Sequence, residues 1–107
     1  MTPVGLPESM TDTEVEKLLQ KGVALHQAGQ LQEAHRCYRQ ILRAVPDHAD
    51  ANNLLGVITG ERKQFGQAIK LFETAIRLKP AEPVFRNNLG NTLLRAKEYG
   101  LAIVARP

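Results

Sequence analysis

The sequence has few of the residues on which several classes of protein depend. It contains no tryptophan, two tyrosines and three phenylalanines, and so it lacks the aromatic platforms on which the bases of single-stranded nucleic acids stack. Its single cysteine, Cys37, cannot form an internal disulfide, which is typical of proteins in a reducing compartment. We therefore expect a cytoplasmic protein that does not bind nucleic acid.

Long apolar runs are also missing. No segment approaches the roughly 20 consecutive apolar residues of a membrane-spanning helix, and the first dozen residues, which include Pro3 and Pro7, lack a basic stretch followed by an apolar one. We therefore predict neither a membrane span nor a signal peptide. The 43% of hydrophobic residues in this 107-residue chain suffices for the core of one small domain.

Residues that carry catalytic or metal chemistry are sparse and badly spaced. His26, His35 and His48 share no i, i+4 spacing with one another or with Cys37, so no two of these side chains form a metal-binding pair on one helix face. The neighbours of Cys37 one helical turn away are Glu33 and Ile41, which favours a packed thiol over a nucleophile. We predict a protein that is not an enzyme and that uses no cofactor or metal.

The sequence does contain a pattern that repeats every 34 residues. The residues that define it are Gly22, Ala34 and Pro46, then Gly56, Ala68 and Pro80, then Gly90 and Ala102. Apolar residues between them recur at the spacing of helices. A period of this length made of paired helices is typical of repeat arrays.

Each repeat predicts a first helix, A, and a second helix, B. We expect helices over 12–28, 31–45, 49–62, 65–78 and 83–96, and a sixth helix beginning near Tyr99. Thr11 and Glu14 fit a capping box, whereas Lys63 stands where the first repeat has Gly29, which predicts a looser or differently shaped turn. The expected inward faces are Leu18, Gly22 and Leu25; Ala34, Tyr38, Ile41 and Leu42; Leu55, Gly56 and Ile58; Ala68, Phe72, Ala75 and Ile76; and Leu89, Gly90 and Leu93.

The chain resembles the tetratricopeptide repeat family, in which helix A carries Leu-Gly between large residues and helix B carries Ala, a large aromatic, Ala and Pro. The matching residues are Leu18, Gly22, Leu25, Ala34, Tyr38 and Pro46; Leu55, Gly56, Ala68, Phe72, Ala75 and Pro80; and Leu89, Gly90, Leu93, Tyr99 and Ala102. The departures are Lys21, Asn52, Arg86, Thr59 and Ile41. Since Arg106 falls where Tyr38 and Phe72 stood, the third repeat is predicted to be incomplete.

The resemblance implies an all-α fold, a right-handed α-solenoid of helix-turn-helix repeats with two full repeats and a truncated third. The expected divisions are a flexible leader over 1–10, repeat 1 over 11–48, repeat 2 over 49–82 and incomplete repeat 3 over 83–107. It also implies a non-catalytic scaffold that binds a peptide or partner segment in a concave groove lined by the A helices. An alternative is the N-terminal segment of a longer enzyme, such as a glycosyltransferase or sulfotransferase, which the abrupt end after Ile103 suggests.

The residues of the A helices that packing does not use are expected to face this groove. By position they are Glu16, Leu19, Gln20, Val23, His26 and Gln27; Asp50, Asn53, Leu54, Val57, Gly60 and Glu61; and Val84, Asn87, Asn88, Asn91, Leu94 and Arg95. From them we select as the candidate peptide-binding groove Leu19, Gln20, Val23, Asn53, Leu54, Val57, Asn87, Asn88 and Asn91. Amide side chains donate to and accept from a peptide backbone, and the apolar members supply anchors.

Two binding modes known in this family each need particular residues at particular positions, so the sequence can be checked for them. A clamp for the C-terminal carboxylate of chaperone tails needs cations, yet the corresponding positions here are Leu19, Val23, Leu54, Val84 and Asn88, so we predict no such clamp. An asparagine ladder, known from arrays fused to glycosyltransferases, is matched at Asn88 but not at Leu54 or Gln20.

Two further surfaces leave alternatives open. Arg36, Arg39 and Arg43 lie on the outer side of the first B helix, with Lys70 and Arg77 similarly placed on the second. They form either a solvated face or a basic stripe for an acidic partner or nucleic acid. The packing face of the third repeat has no helix to cover it, so a homodimer through this uncapped C-terminal repeat is possible.

Overall fold

The computed structural model describes residues 9–100, and this part of the chain is all-α. The helices are α1 (Asp12–Gln27), α2 (Leu31–Ala44), α3 (Ala49–Glu61), α4 (Phe65–Leu78) and α5 (Pro83–Glu98). They confirm the predicted helices to within two residues at each end. The helices form two compact units, one ending at Pro46 and the other beginning at Asp47. Across residues 9–100, none of the helices has both the length and the apolar character needed to span a membrane.

The first unit is a hairpin of α1 and α2. The predicted capping box begins it, since Glu14 N donates to Thr11 Oγ1 at 3.1 Å and Thr11 N donates to Glu14 Oε1 at 2.9 Å. The ring of Tyr38 is fully buried and lies against the backbone of Gly22, where an added Cβ would be 2.6 Å from Tyr38 Cε1. Glycine at this position therefore lets the aromatic ring of α2 reach the backbone of α1.

The second unit repeats this packing and adds a helix. A Cβ on Gly56 would lie 2.7 Å from Cε1 of the buried Phe72, which joins α3 to α4 as Tyr38 joins α2 to α1. Helix α5 then packs on α4. The cluster that holds it consists of Ala49, Ala75 and Phe85, with Ile76 and Leu78 packed against them.

The turn at Lys63 has the same shape as the turn at Gly29, so the prediction of a different turn is wrong. Lys63 has a φ of 64° and Gly29 a φ of 79°. Gln64 N donates to Thr59 O at 2.9 Å, as Gln30 N donates to Leu25 O at 2.8 Å in the first hairpin. The left-handed backbone costs lysine roughly 1–2 kcal/mol, which the packing of the hairpin exceeds. The Lys63 ammonium also lies 5.1 Å from the centroid of the Tyr99 ring, an attractive arrangement.

The inward face of α5 differs from the one predicted. Leu89 and Leu93 are half-buried and Gly90 is exposed. The residues that α5 buries are Phe85, Thr92 and Ala96. The reason is that α5 packs with one side on α3 and α4, whereas the Gly90 side meets no other helix among the residues that the structure describes.

Tyr99 itself is not helical, and the rest of the sixth helix predicted to begin near it falls outside the described residues. Tyr99 is the C-cap of α5, and its N–H donates to Arg95 O at 3.1 Å. Its ring centroid lies 5.5 Å from that of Phe65, so the aromatic ring still contacts the start of α4. The predicted positions Ala102, Ile103 and Arg106 lie outside the described residues.

Candidate functional site

The second unit has an open depression, of about 430 Å³, on the side where α3 and α5 face each other. It is lined by Val57, Gly60, Glu61, Phe72, Asn88, Asn91, Thr92, Leu94 and Arg95. We call this surface the α3–α5 depression. Its lining combines amide, apolar and charged side chains, which is the mixture expected of a surface that binds a polypeptide.

An amide pair fixes the wall of the depression. Asn88 Nδ2 donates to Asn53 Oδ1 at 2.9 Å, and Asn53 is buried while Asn88 is half-buried. Thr92 Oγ1 donates to the backbone oxygen of Asn88 at 2.8 Å. The Asn88 side chain is therefore held at a defined orientation between α3 and α5.

The amide pair leaves hydrogen-bonding capacity for a ligand. A primary amide has two N–H donors and an oxygen with two lone pairs, and the bond to Asn53 uses one hydrogen of Asn88. Asn91 lies one turn further along α5, is exposed, and lines the same depression. Primary amides of this kind can both donate to and accept from the N–H and C=O groups of a peptide backbone.

Apolar and charged groups complete the lining. Leu94 is 58% exposed and Val57 is half-buried, so both offer apolar surface for an anchor. The guanidinium carbon of Arg95 lies 5.2 Å from the centroid of the Phe65 ring, a cation–π contact that restrains its long side chain. Glu61 supplies the opposite charge in the same lining.

The predicted groove residues are brought together in part. In the second unit Val57, Asn88 and Asn91 line the α3–α5 depression, and Asn53 contacts it through Asn88. Leu54 is half-buried on α3, while Asn87 is exposed and does not line the depression.

The other predicted groove residues lie on α1 in the first unit. Leu19 and Val23 are half-buried. Gln20 is exposed, and its Nε2 donates to Glu16 Oε1 at 3.4 Å.

Sequence reasoning placed several lining residues on the correct side of the helix without selecting them. The repeat register correctly placed four of them on the groove side of the A helices, namely Gly60, Glu61, Leu94 and Arg95. They were not selected as candidate binding residues, because the sequence showed nothing that set them apart from other groove-side residues. Thr92 was missed. Its position in the repeat is equivalent to Ile58, a core position, so the repeat pattern alone gives no signal for a polar wall residue.

The described residues also show what surrounds the single thiol. Cys37 is buried on α2, and its burial raises the pKa of the thiol, which keeps it protonated and poorly nucleophilic. Between residues 9 and 100, no group of three or more His, Cys, Asp or Glu side chains is placed to hold a metal ion.

The family model for the tetratricopeptide repeat matches this chain over residues 19–59 and 60–105. With the helix-turn-helix repeats described above, this match shows that the chain belongs to the tetratricopeptide repeat family. Repeats of this family generally mediate protein–protein interaction, and the family is typically a non-catalytic scaffold.

Proposed function

We propose that this protein is a non-catalytic scaffold that binds a segment of a partner protein through the A helices of its repeats, and in the second unit through the α3–α5 depression. The observation that carries the proposal is the amide pair of Asn53 and Asn88 at the wall of the α3–α5 depression. A buried amide that orients a half-exposed one provides a preorganised hydrogen-bonding group, which lowers the entropy cost of binding.

The mode of binding follows from the chemistry of the lining. The amides of Asn88 and Asn91 bond the backbone of the ligand, so they tolerate many sequences. An apolar side chain of the ligand packs against Val57 and Leu94, which gives affinity and some selectivity. In the first unit, Leu19, Gln20 and Val23 of α1 offer the ligand a similar combination of apolar and amide side chains. The ligand is not an acidic chaperone tail, because the positions of the carboxylate clamp carry no cation.

Replacing Asn91 by alanine is expected to weaken peptide binding about five- to tenfold, since a hydrogen bond contributes about 1 kcal/mol. The probe is a peptide selected on the full chain from a random library displayed on phage, and the measurement is its Kd by fluorescence anisotropy. Asn87→Ala is the matched control, because Asn87 is another exposed asparagine, one turn away on α5, that does not line the depression.

The two variants separate groove binding from a general effect of surface asparagines. Equal Kd values for the wild type and Asn91→Ala would count against the α3–α5 depression as the binding site. So would a loss of the same size in both variants. Far-UV circular dichroism checks that each variant keeps its helices.

We also propose that the protein acts in the cytoplasm. A separate proposal is that it forms a homodimer through α5. Helix α5 leaves Leu89 and Leu93 only half-buried and Gly90 exposed, and a Cβ added to Gly90 would meet nothing within 4 Å beyond its own helix backbone among the described residues. A free apolar helix face of this kind favours association. Light scattering over a range of concentrations is expected to give the mass of a dimer at high concentration, and a constant monomer mass would refute the dimer.

A further inference from the structure

Three arginines form a row along the exposed side of α2. Arg36, Arg39 and Arg43 occupy positions i, i+3 and i+7, which lie on one face of a helix, and all three are exposed. The acidic residue of α2 is Glu33, near its start and beside Arg36. We call these three residues the arginine row.

The arginine row borders two depressions of the surface. One, of about 590 Å³, is lined by the arginine row together with His35 and Gln40. The other, of about 240 Å³, is lined by Arg39, Leu42 and Arg43. Neither lining includes an acidic residue, so the positive charge of these surfaces is not neutralised where a ligand would sit.

The second hairpin shows the same three positions with a different charge pattern. Adding 34 to the arginine row gives Lys70, Glu73 and Arg77 on α4. There a glutamate stands between two cations, with the favourable order of Glu four residues before Arg. In α2 the corresponding pair is Arg39 and Arg43, and like charges at this spacing destabilise a helix slightly. Arg39 and Arg43 of α2 therefore lack the favourable pairing that Glu73 and Arg77 have on α4.

We propose that the arginine row is a docking surface for an acidic segment of a partner protein. The guanidinium group pairs with carboxylates through two parallel hydrogen bonds. Arg43 lies seven residues after Arg36, which is about 10 Å along a helix. Glutamates or aspartates at i, i+3 and i+7 of a partner helix have the same spacing.

The lining of the two depressions favours a protein ligand over a nucleic acid. Single-stranded nucleic acids need aromatic side chains on which bases stack, and neither lining contains an aromatic residue. Leu42 instead adds apolar surface to the lining that Arg39 and Arg43 form, which suits an acidic helix that also carries aliphatic side chains. This surface and the α3–α5 depression share no residue.

The test uses the full chain and a fluorescent helical peptide of about 20 residues with glutamates at i, i+3 and i+7. Arg39→Glu copies the charge pattern of α4 and is expected to fold and to weaken binding at least about tenfold. Arg77→Glu is the matched control, since it makes the same change of charge on α4, and its Kd is expected to stay within about twofold of the wild type. Asn91→Ala is expected to leave this Kd unchanged, so failure here is distinguishable from failure of the groove proposal.

Any of the following four results would overturn the proposal. No binding of the glutamate peptide by the wild-type chain would do so, as would equal binding of the same peptide with glutamine in place of glutamate. An equal loss in Arg39→Glu and Arg77→Glu would show attraction by net charge alone. Tighter binding of a single-stranded oligonucleotide, with the same dependence on Arg39, would replace the acidic protein segment by a nucleic acid.

Discussion

Replacing Gly56 by alanine is expected to destabilise the second unit by about 1–3 kcal/mol, the usual cost of forcing extra volume into a packed core. The new Cβ would lie 2.7 Å from Phe72 Cε1 and 3.0 Å from two further atoms of the ring. Because Phe72 is only 1% exposed, nearly all of its ring is already packed against neighbouring atoms, which the extra Cβ would disturb. Either α3 and α4 separate or the ring leaves its preferred rotamer, and both changes cost packing energy.

The chain offers a matched control for this substitution. Gly90 occupies the same place in the next repeat, but no atom of the described residues lies within 4 Å of the Cβ that alanine would add. Gly90→Ala is therefore expected to stabilise α5 by about 0.5–1 kcal/mol, because alanine favours the helix interior over glycine. Urea unfolding followed by circular dichroism measures both changes. A similar loss of stability in Gly56→Ala and Gly90→Ala would contradict the packing that we describe, or would show that Gly90 is covered in solution.

Replacing Tyr38 by phenylalanine is expected to make the protein more resistant to alkaline unfolding. Tyr38 is fully buried, and its hydroxyl has no hydrogen-bond partner among residues 9–100. Burial, with a smaller contribution from Cys37, raises the pKa of Tyr38 from its ordinary value of 10.0 to about 12. This difference corresponds to a free energy on the order of 2–3 kcal/mol between the two protonation states.

The direction of the pH effect follows from proton binding. Between pH 10 and about 12 the unfolded chain has lost the proton of Tyr38 while the folded chain still holds it. The free energy of unfolding therefore falls as the pH rises through this window, whereas below pH 10 the contribution is fully present. Tyr38→Phe removes this loss, since phenylalanine has no ionisable group.

The measurement is the difference in free energy of unfolding between the wild type and Tyr38→Phe at several pH values. At pH 7 the variant is expected to be as stable as the wild type or slightly more stable, because a buried hydroxyl without a partner costs desolvation energy. Phe72 shows that this position of the repeat accepts a ring without the hydroxyl. A variant that is clearly less stable at pH 7, or a difference that stays constant up to pH 12, would show that the hydroxyl is hydrogen-bonded or hydrated.

The helices could be predicted because their signals are local. Prolines and glycines mark the ends of the helices, and apolar residues mark one face of each, so the pattern around Pro46 and Pro80 predicts helix bounds closely. The turn at Lys63 shows the limit of local reasoning. A lysine disfavours the left-handed conformation, so the sequence argued against it at this position. The hydrogen bonds between the two helices that the turn joins nevertheless require that conformation.

The candidate site was predicted less completely because its contacts are not local. The repeat register places Asn88 opposite Leu54, which argued against an asparagine ladder, yet Asn88 bonds Asn53, the preceding residue. A side chain that reaches diagonally between neighbouring helices breaks strict register, and no spacing in the sequence reports it. The same holds for Asn87, which resembles Asn91 in sequence but lies outside the depression.

The amino-acid sequence alone determined the family, the order of the helices and the placement of Gly22, Tyr38, Gly56 and Phe72 on inward faces. These features follow from the 34-residue period, and periodicity is a property of the chain itself. Only the tertiary structure decided which asparagines meet, that α5 leaves Gly90 exposed, and that Tyr38 buries a hydroxyl without a partner. These features depend on distances between side chains of different helices, which packing sets and one-dimensional spacing does not.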